Sequence, residues 1–231
     1  LHLCDRRQRQ MCIRDSFFTG KYPDTFGRGE LYNDDPRLGD ARLCGTTASL
    51  CGIEKYGFEG NVVGVDRSVR YDITLHAFML SQSGIPVIYS GDEIGQVNDY
   101  TYKNDPEKRV DSRYIHRGKF DWKLADGRKR KGTVQKELFD GIGKLRSIRS
   151  KEKVFDASAN VWTLDTWENG ILGVVRELEG EQMTALFNFA EEDRTAWIEE
   201  EGEYMDLYTG KKVSLQAIKM EGHSFVLAKK C

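Results

Sequence analysis

The chain lacks the features that would place it in a membrane or on a nucleic acid. None of its apolar runs approaches the ~20 residues needed to cross a bilayer. Charged residues make up 31% of the 231 positions but cancel to a net charge of −2, so no field recruits nucleic acid or an anionic surface. Leu1–Ser16 carries four Arg but no apolar stretch of a secretory signal. The five cysteines (4, 12, 44, 51 and 231) form no CxxC pair, and no His stands near them at zinc-ligand spacing. Cys44 and Cys51 could pair only across a sharp backbone reversal, so reduced thiols and a cytoplasmic location are expected. No metal and no cofactor is implied. The acidic group Asp99, Asn104, Asp105 and Glu107 lacks the order and the glycine of an EF-hand loop. Arg128–Lys131 is basic but short, and reads as a solvated turn.

What is present is aromatic and well punctuated. Aromatic residues reach 11%, including four Trp and ten Tyr, which suits stacking on sugar rings as well as core packing. Residues 1–16 show no helical or strand period and read as a non-native or disordered terminus, the MCIRDS hexapeptide (11–16) resembling translated sequencing adapter. Residues 17–66 are rich in Gly and Asp and read as a loop-dominated insertion with a short helix near Thr46–Cys51. Across 67–152 the pattern sharpens. A helix is expected over Ser68–Ser83, with Ile73, Ala77 and Leu80 on one face and Gly84 as terminator.

The β-branched run Ile85–Tyr89 follows as a buried parallel strand that hands over to Asp92 and Glu93. A long loop leads to Thr133, which can cap a helix over Val134–Arg149. Helix, buried strand, long loop and helix is the grammar of an α/β barrel. From Lys153 the texture changes to short β-rich runs such as ILGVVREL and MTALFNF, with a hairpin signal at Asn169-Gly170. Residues 153–231 therefore read as an antiparallel β-sandwich.

Four segments carry a family resemblance: GIPVIYSGDEIG (84–95), NDY (98–100), DSRYIHR (111–117) and GDARLCGTTASL (39–50). Together they resemble the eighth strand and following loop, and an upstream segment, of amylosucrases and sucrose hydrolases in the α-amylase superfamily, glycoside hydrolase family 13. The resemblance covers roughly residues 17–231. It implies the last part of a (β/α)8 TIM barrel, with 17–66 inserted after its seventh strand, followed by the C-terminal β-sandwich. It also implies a retaining α-glucosyl enzyme acting on sucrose and an α-1,4-glucan, in which two carboxylates flank one glycosidic bond. None of the family's three catalytic carboxylates matches a residue here. Phe17 falls just after the position of the family's HDDIGW motif, which this sequence does not contain. The chain alone is expected to be inactive. Sucrose hydrolysis is the alternative within the class, and a non-catalytic carbohydrate-binding module is the alternative outside it.

The resemblance assigns Arg113 to the floor of a glucose pocket, paired with a carboxylate from an earlier part of the barrel. Spacing alone offers a local pair with Asp111 instead. Arg42 matches an arginine lining the fructose or acceptor subsite, against a solvated loop charge. Phe26 and Arg28 lie in the same insertion as possible shapers of acceptor binding. Asp92, Glu93 and Asp111 are expected to be structural, because adjacent carboxylates at a strand end point apart and cannot flank one bond. Tyr100, Tyr102 and Trp122 are readable as sugar platforms or as packing anchors, and His116 as a structural donor.

Overall fold

The computed structural model describes residues 12–35 and 40–231, so most of the terminal segment 1–16 lies outside the described residues. The chain divides into two compact units. One comprises the residues up to Val69 together with Tyr89–Leu138, the other Arg70–Ile88 with Phe139–Cys231.

The first unit begins with helix α1 (12–18). It continues into an antiparallel hairpin, β1 (Glu30–Asp35) and β2 (Asp40–Cys44), and the short helices α2 (Thr47–Cys51) and α3 (Ile53–Phe58). Helix α2 stands where the sequence places it. Thr46 caps it, its hydroxyl accepting from the Ser49 N–H at 3.3 Å. The hairpin and α3 were not legible in a segment so rich in Gly and Asp.

The long loop is a chain of side-chain-capped turns. Asp99 accepts the Thr101 N–H at 2.9 Å, Asp111 accepts the Arg113 N–H at 3.0 Å, and Asp121 accepts the Lys123 and Leu124 N–H groups at 2.9 Å. Each aspartate opens a single turn: 3₁₀ turns over Tyr100–Asn104 and Ser112–His116, and helix α5 (Trp122–Ala125). Short polar side chains satisfy the leading N–H groups, which explains why acidic residues recur without a helical or strand period.

Helix α4 (Val62–Ser81) starts earlier than its apolar stripe indicates, and α6 (Val134–Lys151) runs one residue pair longer than expected. Thr133 does cap α6, its hydroxyl accepting the Lys136 N–H at 3.3 Å. The expected buried strand Ile85–Tyr89 is absent. The segment has no regular secondary structure and pairs with no strand, and Ile85 and Val87 are 93% and 75% exposed. β-branched composition favours extended backbone, but burial needs neighbouring strands, and no parallel strand pair exists among the described residues.

In the second unit, six antiparallel strands run in the order β3-β4-β5-β10-β7-β8: β3 (Asn160–Leu164), β4 (Ile171–Leu178), β5 (Glu181–Asn188), β7 (Tyr204–Asp206), β8 (Lys212–Val213) and β10 (Ser224–Lys230). A two-stranded ribbon, β6 (Arg194–Ala196) with β9 (Ile218–Met220), accompanies it. Alternate residues of β5 fill two different cores. Met183, Ala185 and Phe187 pack with Ala77, Leu80 and Leu145 of the two long helices. Leu186 packs with Ala196, Ile198 and Met220. Burial on both faces accounts for the continuous apolar run of β5. The antiparallel β-rich part is therefore as expected. Its cover differs from a plain sandwich, because helices close one face and a ribbon the other.

Two guanidinium groups, one buried and one partly buried, secure the end of α4. Arg176, fully buried, donates to the carbonyls of Ser81 (3.1 Å), Val154 (2.6 Å) and Asp156 (3.0 Å). Arg149 donates to the carbonyls of Leu80, Gln82 (2.9 Å) and Gly84 (2.7 Å). Carbonyls at a helix C-terminus carry partial negative charge, so cations are favoured there. Burial pulls both arginines below their ordinary pKa.

Candidate functional site

The first unit gathers most of the residues singled out in the sequence. In the β1–β2 hairpin Glu30 pairs with Cys44, and Tyr32 with Arg42, so these four residues share one face of the ribbon. The turn Ser112–His116 lies against it, the Ser112 hydroxyl donating to the Leu31 carbonyl at 2.8 Å. Cys44, Tyr102 and Ile115 form the buried floor, with Tyr32 and Tyr114 packed on them. Cys44 and Cys51 are both buried thiols, and burial, followed by nearby Asp111, pushes the Cys44 thiol up.

Arg113 sits above this floor with its guanidinium 4.3 Å from the centre of the Tyr32 ring. It donates side-on to Asp111, Nε to Oδ1 at 2.9 Å and Nη2 to Oδ2 at 2.7 Å. That is the local pair offered by spacing. The hydrogen bond from Arg113 holds the Asp111 carboxyl down to about 2, and the pair stays ionised at any physiological pH. Nη1 makes no hydrogen bond among the described residues, and the Arg113 side chain is 40% exposed. Arg42 is exposed on the same ribbon face, opposite Tyr32. The structure thus sets the Arg113–Asp111 pair on Tyr32, whose partner across the ribbon is Arg42.

Asp92 and Glu93 fold back on their own turn. Asp92 accepts the Tyr89 N–H at 3.2 Å, and Glu93 accepts the Gly91 N–H at 3.1 Å. Gly91 and Gly95, both at positive φ, bracket that turn. Phe26 lies in the core against Phe17, their ring centres 5.0 Å apart, and Arg28 donates to the Thr25 and Gly27 carbonyls of its own loop. The Tyr102 hydroxyl donates to Glu30, and burial and that bond raise its pKa. The Tyr100 hydroxyl donates to Glu54 at 2.7 Å, and its pKa is pushed up to about 12, mainly by burial. Both tyrosines are therefore anchors. Trp122 is 73% exposed beside Phe120 and remains open as a platform. His116 packs edge-on against Tyr89, with its pKa lowered by burial and then by Arg117.

A cleft of about 760 Å³ opens between the turns, lined by Asp99, Tyr102, Asp105, Lys108, Tyr114 and Arg117 among others. Among its lining charges Lys108 pairs with Asp105 at 2.7 Å, while Asp99 accepts from the Thr101 N–H and hydroxyl. Arg113 and Arg42 are not among its lining residues. No cluster of three or more metal-ligating side chains occurs among the described residues.

Sequence reasoning missed Asn98, the junction of this unit. Its Oδ1 accepts the Thr46 N–H at 2.8 Å, its Nδ2 donates to the Arg28 carbonyl, and its own N–H donates to Ser49 Oγ at 2.8 Å. It ties the GDE turn to the cap of α2. Only its place in NDY marked it, and nothing local indicates partners about fifty residues away.

No protein-family model matches the chain. Known structures do match it. The chain superposes on AmyP E221Q, solved in complex with maltotriose, with a TM-score of 0.57 and 15% identity, over 71% of this chain and 35% of that one. It superposes on the trehalulose synthase MutB from Pseudomonas mesoacidophila MX-45 with a TM-score of 0.53 and 16% identity, over 70% of this chain and 38% of that one. The matched part has the fold of α-amylase-family enzymes. In sequence, the chain is 29% identical over 125 residues to the glucosylglycerate phosphorylase of Escherichia coli K12. The match takes in 53% of this chain and 22% of that protein, so the chain spans only part of the proteins it resembles. No helix among the described residues is long and apolar enough to cross a membrane.

Proposed function

We propose that the chain is the part of a retaining α-glucosyl enzyme that follows its catalytic carboxylates, in an enzyme moving glucose from sucrose to an α-1,4-glucan. The observation that carries this reading is the closure of the GDAR ribbon and the DSR turn on each other through Tyr32. Two segments about seventy residues apart, both matching the amylosucrase pattern, thereby meet at Tyr32, which Arg42 faces across the ribbon and Arg113 covers. The α-amylase-type fold supports the wider class, and the share of each relative covered leaves room for the remaining barrel.

In this role Arg113 is a positioning cation. Asp111 and the Tyr32 ring fix its plane, and the Nη1 edge offers two N–H donors to a carboxylate or a sugar hydroxyl. Arg42 stands where a departing fructose or an incoming acceptor would be met. Asp92 and Glu93, committed to backbone N–H groups, shape the turn and do no proton transfer. The likeness to a phosphorylase favours a second reading in which inorganic phosphate is the acceptor. Hydrolysis differs only in using water.

The test joins this chain to a barrel segment carrying the three carboxylates and supplies sucrose with glucan, phosphate or neither. Fructose release with glucan elongation is expected, and glucose 1-phosphate or free glucose would identify the rival acceptors. The chain by itself should release no fructose. Arg113→Ala should lower kcat/KM about 10²-fold, as loss of a fixed orienting contact does, with partial recovery in Arg113→Lys. Turnover by the isolated chain, or an Arg113→Ala enzyme of full activity, would refute the assignment.

A further inference from the structure

Three of the four tryptophans, Trp162, Trp167 and Trp197, belong to the second unit and lie 44%, 70% and 57% exposed. A domain that buries Val, Leu and Met in two cores gains nothing in stability from leaving its largest apolar side chains in water. Trp167 is held at φ +53°, a conformation that aromatic residues adopt only under constraint, although Asn169 and Gly170 stand in the same turn.

The constraint is visible. Asp165 Oδ1 accepts the Trp167 N–H at 2.9 Å, and the Thr166 hydroxyl donates to the Ile171 carbonyl at 2.9 Å. Glu168 Oε1 accepts from Gly170 N–H at 3.1 Å and from Arg194 Nη1 at 2.6 Å. The Trp197 N–H donates to the Thr166 carbonyl at 2.9 Å, so the two indoles leave neighbouring backbone. Residues 196 and 198 are buried on either side of it, so Trp197 stands on the outer face. At Trp167 the turn forms an open cleft of about 460 Å³ lined by Asp165, Thr166, Trp167, Glu168, Asn169 and Leu172 among others.

We propose that this turn is a binding site for a neutral oligosaccharide, an α-linked glucan. Indole faces meet the C–H face of a pyranose, while Asp165 and the Asn169 amide exchange hydrogen bonds with ring hydroxyls. Glu168 is neutralised by Arg194, and no Lys or Arg is among the residues lining the cleft. The choice of an α-glucan among sugars rests on the function proposed above; the site itself does not.

Affinity electrophoresis of the whole chain through gels containing glycogen, with maltoheptaose titrated by tryptophan fluorescence, tests the site. Wild-type protein should be retarded. Trp167→Gly and Trp197→Ala should bind at least about tenfold more weakly, and Trp122→Ala, in the other unit, should bind normally. Glycine is at ease at positive φ, so Trp167→Gly should melt at or above the wild-type temperature, which separates lost binding from lost folding. Absence of retardation in the wild type, or unchanged binding by Trp167→Gly, would overturn the proposal. Neither readout involves sucrose turnover, so a failed activity assay leaves this result standing.

Discussion

Replacing Asn98 by aspartate should destabilise the first unit at neutral pH and spare it in acid. The exchange is isosteric and keeps the acceptor for the Thr46 N–H, but it removes the donor facing the Arg28 carbonyl. A carboxylate oxygen would then oppose that carbonyl oxygen and the Tyr100 phenol oxygen, which already donates its proton to Glu54. An unsatisfied buried polar group costs about 1–3 kcal/mol, and a charged one more. The expected loss at pH 7 is therefore about 3 kcal/mol. Asn98→Ala orphans the Thr46 N–H and the Arg28 carbonyl together, and should cost a similar ~3 kcal/mol.

The pH dependence tells the two variants apart. Burial and the facing carbonyl raise the folded-state pKa of the new aspartate above its unfolded value of about 3.9. With the folded value raised, stability is present below the unfolded pKa and lost as pH rises through the folded one. Protonation restores an O–H donor toward Arg28, so the deficit of Asn98→Asp should shrink between pH 7 and pH 4, while that of Asn98→Ala should not. Urea unfolding across this range measures the deficit. Hydrogen exchange of the α2 amides locates it, because Thr46 caps that helix. If Asn98→Asp unfolds at the wild-type urea concentration at pH 7, or its deficit is constant down to pH 4, the hydrogen-bond account of Asn98 is wrong.

In the second unit, Arg176→Met should cost about 3 kcal/mol. It orphans the carbonyls of Ser81, Val154 and Asp156, although relief of repulsion from nearby Arg149 offsets part of the loss. Urea unfolding followed by tryptophan fluorescence would show it, and a change below about 0.5 kcal/mol would mean the carbonyls find water. Asp111 should titrate near 2 in a carboxyl NMR experiment. Since its folded pKa is depressed, its contribution is present above the unfolded value near 3.9 and lost as pH falls through about 2. A midpoint near 4 would show that the Arg113 pair does not persist in solution.

The helices and the antiparallel sheet were legible because they repeat. Ile73, Ala77 and Leu80, and again Leu138, Ile142 and Leu145, fall at helical spacing, and each apolar stripe reaches a buried core. Glycines and a threonine cap mark the ends. The β1–β2 ribbon was illegible because ELYNDD is half exposed and polar on both faces, so no alternation betrays it. Residues 85–89 were read as a buried strand, whereas they form no strand and Ile85, Val87 and Tyr89 are exposed. Composition reports backbone preference, whereas burial depends on strands that must come from elsewhere in the chain. Asn98 illustrates the remaining gap. Its partners are 49, 52 and 70 residues away, and a single asparagine carries no local sign of them.

Arg113 shows why two readings of one residue need not compete. A guanidinium has five N–H donors arranged on two bidentate edges. Asp111 takes the side edge, Nε and Nη2, and Tyr32 covers one face. The end edge, Nη1 with the second Nη2 hydrogen, remains geometrically able to take a carboxylate end-on. The local pair would therefore persist when a second acceptor arrives, and it lowers the cost of that arrival. A free arginine would forfeit side-chain entropy on binding, whereas this one is already held in plane and in register. Asp111 also stays negatively charged at neutral pH, which offsets the guanidinium and tempers its pull on an approaching anion. An arginine so prepared discriminates by direction more than by charge. That suits the proposed role of Arg113 toward a neutral sugar, and it makes Asp111→Asn a sharper probe of orientation than removal of Arg113 itself.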